Sequence, residues 1–293
     1  MKLRQERLKI LSNRKIADGH FTIEFESPRI AASAAPGQFV QILVDDLNEP
    51  LLPRPFSFLD TGRRGFKILY QVVGKGTALI ASKKKGESLV VLGPLGKGFC
   101  LKPFAEKDGT VVLVGGGVGI PPLYHLARTL LASKAISKKN IRVFLGGRRK
   151  ELLHCEKEFR SLGVAATLAT DDGSRGHRGV ITEPLDDYLG VNYLGVWHVP
   201  DTKTASKTVK TVSGTCQTPV FVYACGPTPM LKAVTALALK YEVPCEVSVE
   251  EPMPCGFGAC LGCAIKVEAP GGHRYAISCT EGPVFDAAKI IWD

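Results

Sequence analysis

The sequence contains no uninterrupted apolar run of the roughly 20 residues that a bilayer-spanning helix needs. Its best candidate, Thr110 to Tyr124, is broken by Gly115, Gly116, Gly117, Gly119, Pro121 and Pro122, which excludes membrane insertion. Met1 to Ile10 is charged throughout and has neither an apolar stretch nor a small-residue cleavage site, so the expectation is a cytoplasmic protein. Internal repeats and coiled-coil heptads are missing too. A net charge of +10 comes without the interleaved aromatics of a nucleic-acid surface, because the basic residues are dispersed over Lys83-Lys84-Lys85, Lys138-Lys139, Arg148-Arg149-Lys150 and Lys203, Lys207 and Lys210. Most of this charge is solvated surface; some is available to nucleotide phosphates or to an acidic partner protein.

The remaining composition, 45% hydrophobic and 23% charged with mean hydropathy +0.07 over 293 residues, describes a folded chain of two or three domains. From Ile10 to about Pro103 short alternating runs (Phe21 to Phe25, Gln38 to Val44, Phe56 to Leu59, Phe66 to Val73, Ser88 to Leu92) predict a small antiparallel barrel. From Thr110 the pattern becomes apolar strand, glycine turn, helix, and it repeats through Ile141 to Leu145, Ala165 to Thr170 and Val220 to Ala224. That alternation predicts a doubly wound parallel sheet. The last stretch is crowded with cysteine and glycine. The expected division is residues 1–104, 105–244 and 245–293. Leu189 to Pro219 is rich in Thr, Ser and Lys without periodicity, and its later part, Asp201 to Gln217, reads as a surface loop.

Cysteine carries the strongest chemical signal. Nine cysteines in a chain without an export signal argue for reduced thiols, some of them metal-bound. Cys255, Cys260 and Cys263 follow a C-x4-C-x2-C spacing with Cys279 further on, which is the spacing by which a plant-type loop wraps a [2Fe–2S] cluster. Gly256, Gly258 and Gly262 let the backbone approach closely and turn N–H groups toward sulfur. The alternative is structural zinc, whose ligands usually come as two close couples rather than three local cysteines and one remote one.

Val111 to Gly119 runs from a strand into a glycine turn and a helix. Gly115, Gly116, Gly117 and Gly119 would let a dinucleotide pyrophosphate approach the backbone at a helix N-terminus. The spacing is not G-x-G-x-x-G, so tight strand–helix packing explains these glycines as readily. A second strand end, Cys225-Gly226-Pro227, strengthens the binding reading, since two turns at carboxyl ends of parallel strands frame one crevice. In the barrel, Arg54-Pro55-Phe56-Ser57 and Leu69-Tyr70-Gln71 with Gly76-Thr77 offer an arginine fork, hydroxyls and backbone donors for phosphate.

In this order the motifs resemble ferredoxin-reductase-type flavoproteins, and within them the family of electron-transfer subunits of NAD-linked (type B) dihydroorotate dehydrogenases. The resemblance rests on Pro36 to Phe39, Arg54 to Ser57, Gly76-Thr77, Gly93 to Gly96, Gly115 to Gly119, Thr170 to Ser174, Cys225 to Pro227, Glu250-Glu251 leading into the cysteines, and Cys279 to Asp286. It covers nearly the whole chain. Departures are the Leu189 to Pro219 stretch and Phe56, where many of these flavoproteins place a tyrosine; phenylalanine can still stack on a flavin.

The resemblance implies FAD on the barrel at Arg54, Pro55, Phe56, Ser57, Leu69, Tyr70, Gln71, Gly76 and Thr77. It implies NAD(H) on the sheet at Gly115, Gly116, Gly117, Gly119, Cys225, Gly226 and Pro227, with Cys225 beside the reacting rings, and a [2Fe–2S] cluster on Cys255, Cys260, Cys263 and Cys279. Nicotinamide exchanges two electrons as hydride, a cluster carries one, and a flavin can do either, so no protein acid or base is required. In the family electrons pass from dihydroorotate to FMN on a separate catalytic subunit, then through the cluster and FAD to NAD+, in a heterotetramer of two subunits of each kind. A barrel that oxidises dihydroorotate needs about 250 residues of its own, so its site is expected on another chain. Two other readings compete: a FAD/[2Fe–2S] subunit of a hydrogenase, sulfide dehydrogenase or transhydrogenase, and a zinc-bearing interaction module. NAD against NADP stays open, because Arg148-Arg149 follow a strand where a 2′-phosphate could be met.

Overall fold

The computed structural model describes residues 4–44, 50–101, 109–192 and 219–292. The Asp201 to Gln217 loop expected above lies outside them. The N-terminal region comprises β1 (Arg4–Ala17), β2 (His20–Glu26), α1 (Pro28–Ser33), β3 (Phe39–Leu43), β4 (Arg54–Ser57), β5 (Asp60–Thr61), β6 (Gly65–Gln71), α2 (Lys75–Ser82) and β7 (Ser88–Leu95). Its strands form one antiparallel sheet in the order β4-β3-β7-β1-β2-β6-β5, rolled around a core that includes Ile10, Ile23, Phe25, Ile42, Phe58 and Ile68. The barrel begins earlier than the apolar pattern suggests. β1 bonds to β7 through its first half and to β2 through its second, turning Leu8 and Ile10 inward while Arg7 and Lys9 face solvent. Its charges are the outward half of a period-2 strand.

The second region holds β8 (Thr110–Gly116), α3 (Ile120–Ala132), β9 (Ile141–Gly147), α4 (Glu156–Ser161), β10 (Ala166–Thr170), β11 (His177–Arg178), α5 (Thr182–Asn192), β12 (Val220–Cys225), α6 (Thr228–Lys240) and β13 (Cys245–Ser248). It is completed by β16 (Val284–Asp286), after β14 (Ala264–Ala269), β15 (Gly272–Ile277) and α7 (Ser278–Glu281). The sheet order is β11-β10-β9-β8-β12-β13-β16, parallel except for β16, which runs antiparallel to β13. β8 is buried along its whole length. Val112 and Val114 face one core and Val111 and Leu113 the other, which is why its sequence reads as an unbroken apolar run.

One expected boundary moves. Cys245 to Ser248 is a strand of the parallel sheet, so the third region does not begin at residue 245. The cysteine-rich lobe is an insertion between β13 and β16, two short strands of one sheet. At four and three residues they are too brief to show as apolar runs. The charged segment Lys150 to Leu162 is not one continuous helix: a 3-10 turn (Lys150–Leu152) and α4 are separated at Cys155, whose φ is +62°.

Barrel and sheet meet along a polar seam. Arg128 of α3 pairs with Asp60 and donates to the Thr61 carbonyl at 2.9 Å, while the Thr61 hydroxyl lies 3.2 Å from His125 Nε2. Nearer the lobe, Cys100 N–H donates to Glu246 Oε2 at 2.9 Å and the Tyr223 hydroxyl donates to the Cys100 carbonyl at 2.5 Å. These contacts hold the barrel against α3, β12 and β13.

Candidate functional site

On the barrel, β4 carries Arg54, Pro55, Phe56 and Ser57, each half-buried, at the edge of the sheet beside β3. α2 starts close by: a Cβ on Gly76 would lie 2.8–2.9 Å from the Arg54 guanidinium, so only glycine lets the arginine lie against the helix start. A guanidinium beside free N-terminal N–H groups is a cradle for pyrophosphate. Thr77 does not contribute its hydroxyl as expected. That oxygen accepts the N–H groups of Val73 at 2.9 Å and Gly74 at 3.2 Å and donates to the Gly74 carbonyl at 3.1 Å, so it holds the turn that aims the helix. Tyr70 is likewise structural at its side chain: it is buried in the barrel, its hydroxyl donates to Asn13 Oδ1 at 3.1 Å, and burial pushes its pKa up to about 12. Its ring meets the Phe56 ring edge-on at 5.6 Å. Leu69 is buried against the core of the second sheet, and Gln71 is exposed.

Across the seam the two glycine turns abut. Gly115 pairs with Cys225 in the β8–β12 ladder, and a Cβ on Gly119 would come within 2.5 Å of the backbone of Cys225 and Gly226. A Cβ on Gly116 would meet Met230 Sδ at 2.8 Å, and one on Gly115 would meet Ile120 Cγ1 at 2.9 Å. Gly119 is required by the backbone against it, while at Gly115 and Gly116 a side chain would have to shift. Gly117 is different: its φ is +54° and nothing lies within 4 Å of where its Cβ would be, so its backbone is open to a ligand. The Gly117–Gly119 turn lies against β6, which brings the glycine turns next to the barrel strand of Leu69, Tyr70 and Gln71. The Cys225 thiol sits at this meeting point, 8% exposed, with its pKa pushed up to about 12, chiefly by burial. It is a neutral thiol rather than a nucleophile. Arg148 and Arg149 follow β9, and Arg149 is drawn toward Glu151 at 3.9 Å.

In the lobe the four cysteines fall into two couples. Cys279 N–H donates to Cys263 Sγ at 3.4 Å, and both residues are buried with Phe39, Leu95 and Met253. Cys255 and Cys260 lie toward solvent, with Gly262 N–H donating to Cys260 Sγ at 3.5 Å. Burial raises the Cys255 thiol, but the backbone N–H groups of Cys260 and Phe257 and the Cys260 side chain outweigh it and bring its pKa down to about 6. Cys279 is pushed up to about 12 by burial and by Cys263, against the Gly258 N–H. Gly256 (φ +81°) and Gly258 (φ +90°) take backbone angles that side-chain-bearing residues rarely adopt. Among the described residues no group of three or more His, Cys, Asp or Glu side chains is placed to hold a metal ion. Two thiol couples with N–H groups turned toward sulfur suit a two-iron cluster. Sequence reasoning did not find Gln41 and Met253, which seat the lobe on β3, because neither residue type marks a site; nor did it find Tyr223 and Glu246.

Residues 250–291 match the family model described as the iron-sulfur cluster binding domain of dihydroorotate dehydrogenase B. The chain is 35% identical to the dihydroorotate dehydrogenase B (NAD(+)) electron transfer subunit of Desulforamulus reducens, covering 97% of each chain. It is 34% identical to that of Bacillus cereus, covering 99% of each. Among solved structures, a chain of the NADH-dependent reduced ferredoxin-NADP oxidoreductase superposes with a TM-score of 0.76 at 31% identity, over 97% of this chain and 90% of that one. The ferredoxin NADP+ reductase of Neisseria gonorrhoeae shares the fold, with a TM-score of 0.60 at 15% identity over 81% of this chain and 91% of that one.

Proposed function

The chain belongs to the family of dihydroorotate dehydrogenase B (NAD+) electron transfer subunits, and from that premise we propose that it couples dihydroorotate oxidation on a separate FMN-bearing subunit to NAD+ reduction in pyrimidine biosynthesis. The observation that carries this reading is the juxtaposition of three sites in one chain: the Arg54–α2 cradle, the abutting glycine turns, and the two thiol couples. When bound, FAD, NAD(H) and the [2Fe–2S] cluster supply the exchange between hydride transfer and single-electron transfer.

The chain's own residues bind, orient and exclude water. Arg54 and the start of α2 would hold the FAD pyrophosphate, and the β4 segment of Phe56 and Ser57 would border the flavin. Gly117 and the turn at Gly226-Pro227 receive the dinucleotide, while Cys225 fills the space beside the nicotinamide as an uncharged, polarisable wall. Cys255, Cys260, Cys263 and Cys279 would hold the cluster, with the N–H groups of Gly258 and Gly262 turned toward their sulfurs. Domain roles follow this division: barrel for flavin, parallel sheet for nucleotide, inserted lobe for the cluster. Phe257 and Leu261 are 52% and 60% exposed on the cysteine loop, an apolar tip that suits contact with the catalytic subunit in a two-plus-two assembly. Among the described residues no helix is long and apolar enough to cross a membrane.

Reconstitution tests the reading. The isolated chain should pass electrons from NADH to dyes and leave dihydroorotate untouched, and adding the FMN-bearing subunit should create dihydroorotate-dependent NAD+ reduction. Cys260→Ser should abolish the coupled reaction, lower iron and sulfide content and retain FAD, because the altered ligand is on the lobe and not on the barrel. Dihydroorotate oxidation by the chain alone, or loss of FAD together with iron in Cys260→Ser, overturns the assignment. A second reading, a reductase subunit in a transhydrogenase-type complex, is favoured by the 31% identical solved structure, and failure to couple with the dihydroorotate-oxidising subunit would select it.

A further inference from the structure

Gln41 is a fully buried polar side chain that the proposed function leaves without a role. It is fully buried in β3, directly across from Pro55 of the flavin strand β4 and paired on its other side with Leu92 of β7. The two faces of β3 serve different regions. Val40 and Ile42 enter the barrel core, while Phe39 packs with Leu95, Met253, Cys263 and Cys279. On that second face Gln41 Nε2 donates to the Met253 carbonyl, two residues before the first cluster ligand. A Cβ on Gly256 would lie 2.6 Å from Gln41 Cγ and 2.8 Å from Nε2, so the residue after Cys255 is moulded around this side chain. Its Oε1 has no hydrogen-bond partner.

A leucine or methionine would fill the same space without burying an unsatisfied carbonyl oxygen, so the amide is not there for packing. What the amide supplies is a polar link between the strand pair that bears the flavin motif and the backbone that presents Cys255. Hydrogen bonds and close backbone contacts of this kind fix where a cluster sits and tune its potential. We propose that Gln41 is a positioning residue for electron exchange between the FAD and cluster sites: by holding Met253 and Gly256 against β3 it sets the separation of the two carriers and the potential of the cluster. The proposal rests on the cofactor assignment above. Each event it serves moves one electron from one carrier to the other, two events matching one hydride at the nicotinamide. Gln41 gains and loses neither electron nor proton, and no bond is made or broken.

The test uses the full chain loaded with FAD and cluster, comparing wild type with Gln41→Met, which keeps length and removes both amide groups, and with Gln41→Glu, which keeps shape and removes only the N–H donors. Iron, sulfide and FAD content, the electron paramagnetic resonance spectrum of the reduced cluster, its reduction potential, and the stopped-flow rate of cluster reduction by NADH are measured. FAD content and flavin reduction by NADH should match wild type, while cluster reduction slows at least tenfold with a shifted resonance spectrum and potential. If Gln41→Met sheds iron, Gln41→Glu carries the same expectation. A wild-type rate, spectrum and potential in either variant that retains its iron overturns the assignment, as does loss of iron from both variants, which would make Gln41 a folding residue only. Absence of NADH-dependent cluster reduction in the wild-type chain would instead overturn the cofactor reading itself.

Discussion

Gly119→Ala is the sharpest perturbation of the nucleotide crevice. The new methyl carbon would sit 2.5 Å from the Cys225 carbonyl carbon and oxygen and from Gly226 N. All three are backbone atoms at the end of a strand already paired with β8, so no side chain can swing away. Overpacking costs typically about 1–3 kcal/mol, and a backbone-to-backbone collision belongs near about 3. The two turns must separate. A loss of about 3 kcal/mol lowers the melting temperature by about 6–12 °C for a domain of this class. If half of that loss falls on the nucleotide-binding geometry, NADH binding weakens about tenfold. Gly117→Ala is the control: its methyl meets nothing within 4 Å and its cost is the backbone strain at φ +54°, about 1 kcal/mol. It should lower the melting temperature by only about 2–4 °C yet raise KM for NADH, because the methyl projects where the ligand approaches. Scanning calorimetry and NADH-to-dye kinetics on the loaded protein separate the two variants. An unchanged melting temperature in Gly119→Ala, or a larger fall in Gly117→Ala, would refute the division of these glycines into packing and ligand-facing kinds.

Arg54→Ala should weaken FAD retention on dilution by about 1.5–3 kcal/mol, the worth of a charge-assisted contact, and fluorescence of released FAD measures it. Retention equal to wild type would remove Arg54 from the cradle. Glu246 has its pKa raised from 4.5 to about 7, chiefly by burial, so the folded state favours its protonated form. Its contribution to stability is therefore present below about pH 4.5 and is lost as pH rises to about 7, a change of about 3 kcal/mol. Glu246→Gln should match wild type near pH 4.5 and exceed it in denaturant midpoint at pH 8, and a midpoint difference independent of pH would contradict this.

The cysteine loop and glycine turns were legible because each is a local pattern: ligand spacing and strand-to-turn succession survive in one dimension. The resemblance reached the barrel motifs the same way. β1 was not legible, since six of the ten residues from Met1 to Ile10 are polar or charged and only pairing with β7 and β2 shows which ones face outward. β13 and β16 escaped because strands of four and three residues acquire meaning only from the sheet they join. Thr77 was identified as a phosphate donor from its residue type, but a hydroxyl at a helix start is more readily spent on capping the turn than on a ligand. Gln41 carries no motif at all; its place follows from a register, Gln41 opposite Pro55, that exists only in the folded sheet.

The insertion of the cysteine lobe between β13 and β16 has a consequence for how this chain can be cut and rebuilt. Cleaving it off at residue 244 would strip β13 and β16 from the sheet and leave β12, one of its most buried strands, as a bare edge inviting aggregation. The lobe is thus not a detachable module but a stitched pleat, held at both hems by the nucleotide sheet. New termini belong instead at Gly271-Gly272, the β14–β15 turn, where neither glycine has an atom within 4 Å of its missing Cβ. Opened there, the chain would keep both strands in place, and a partner fused at that point would be carried by the lobe itself.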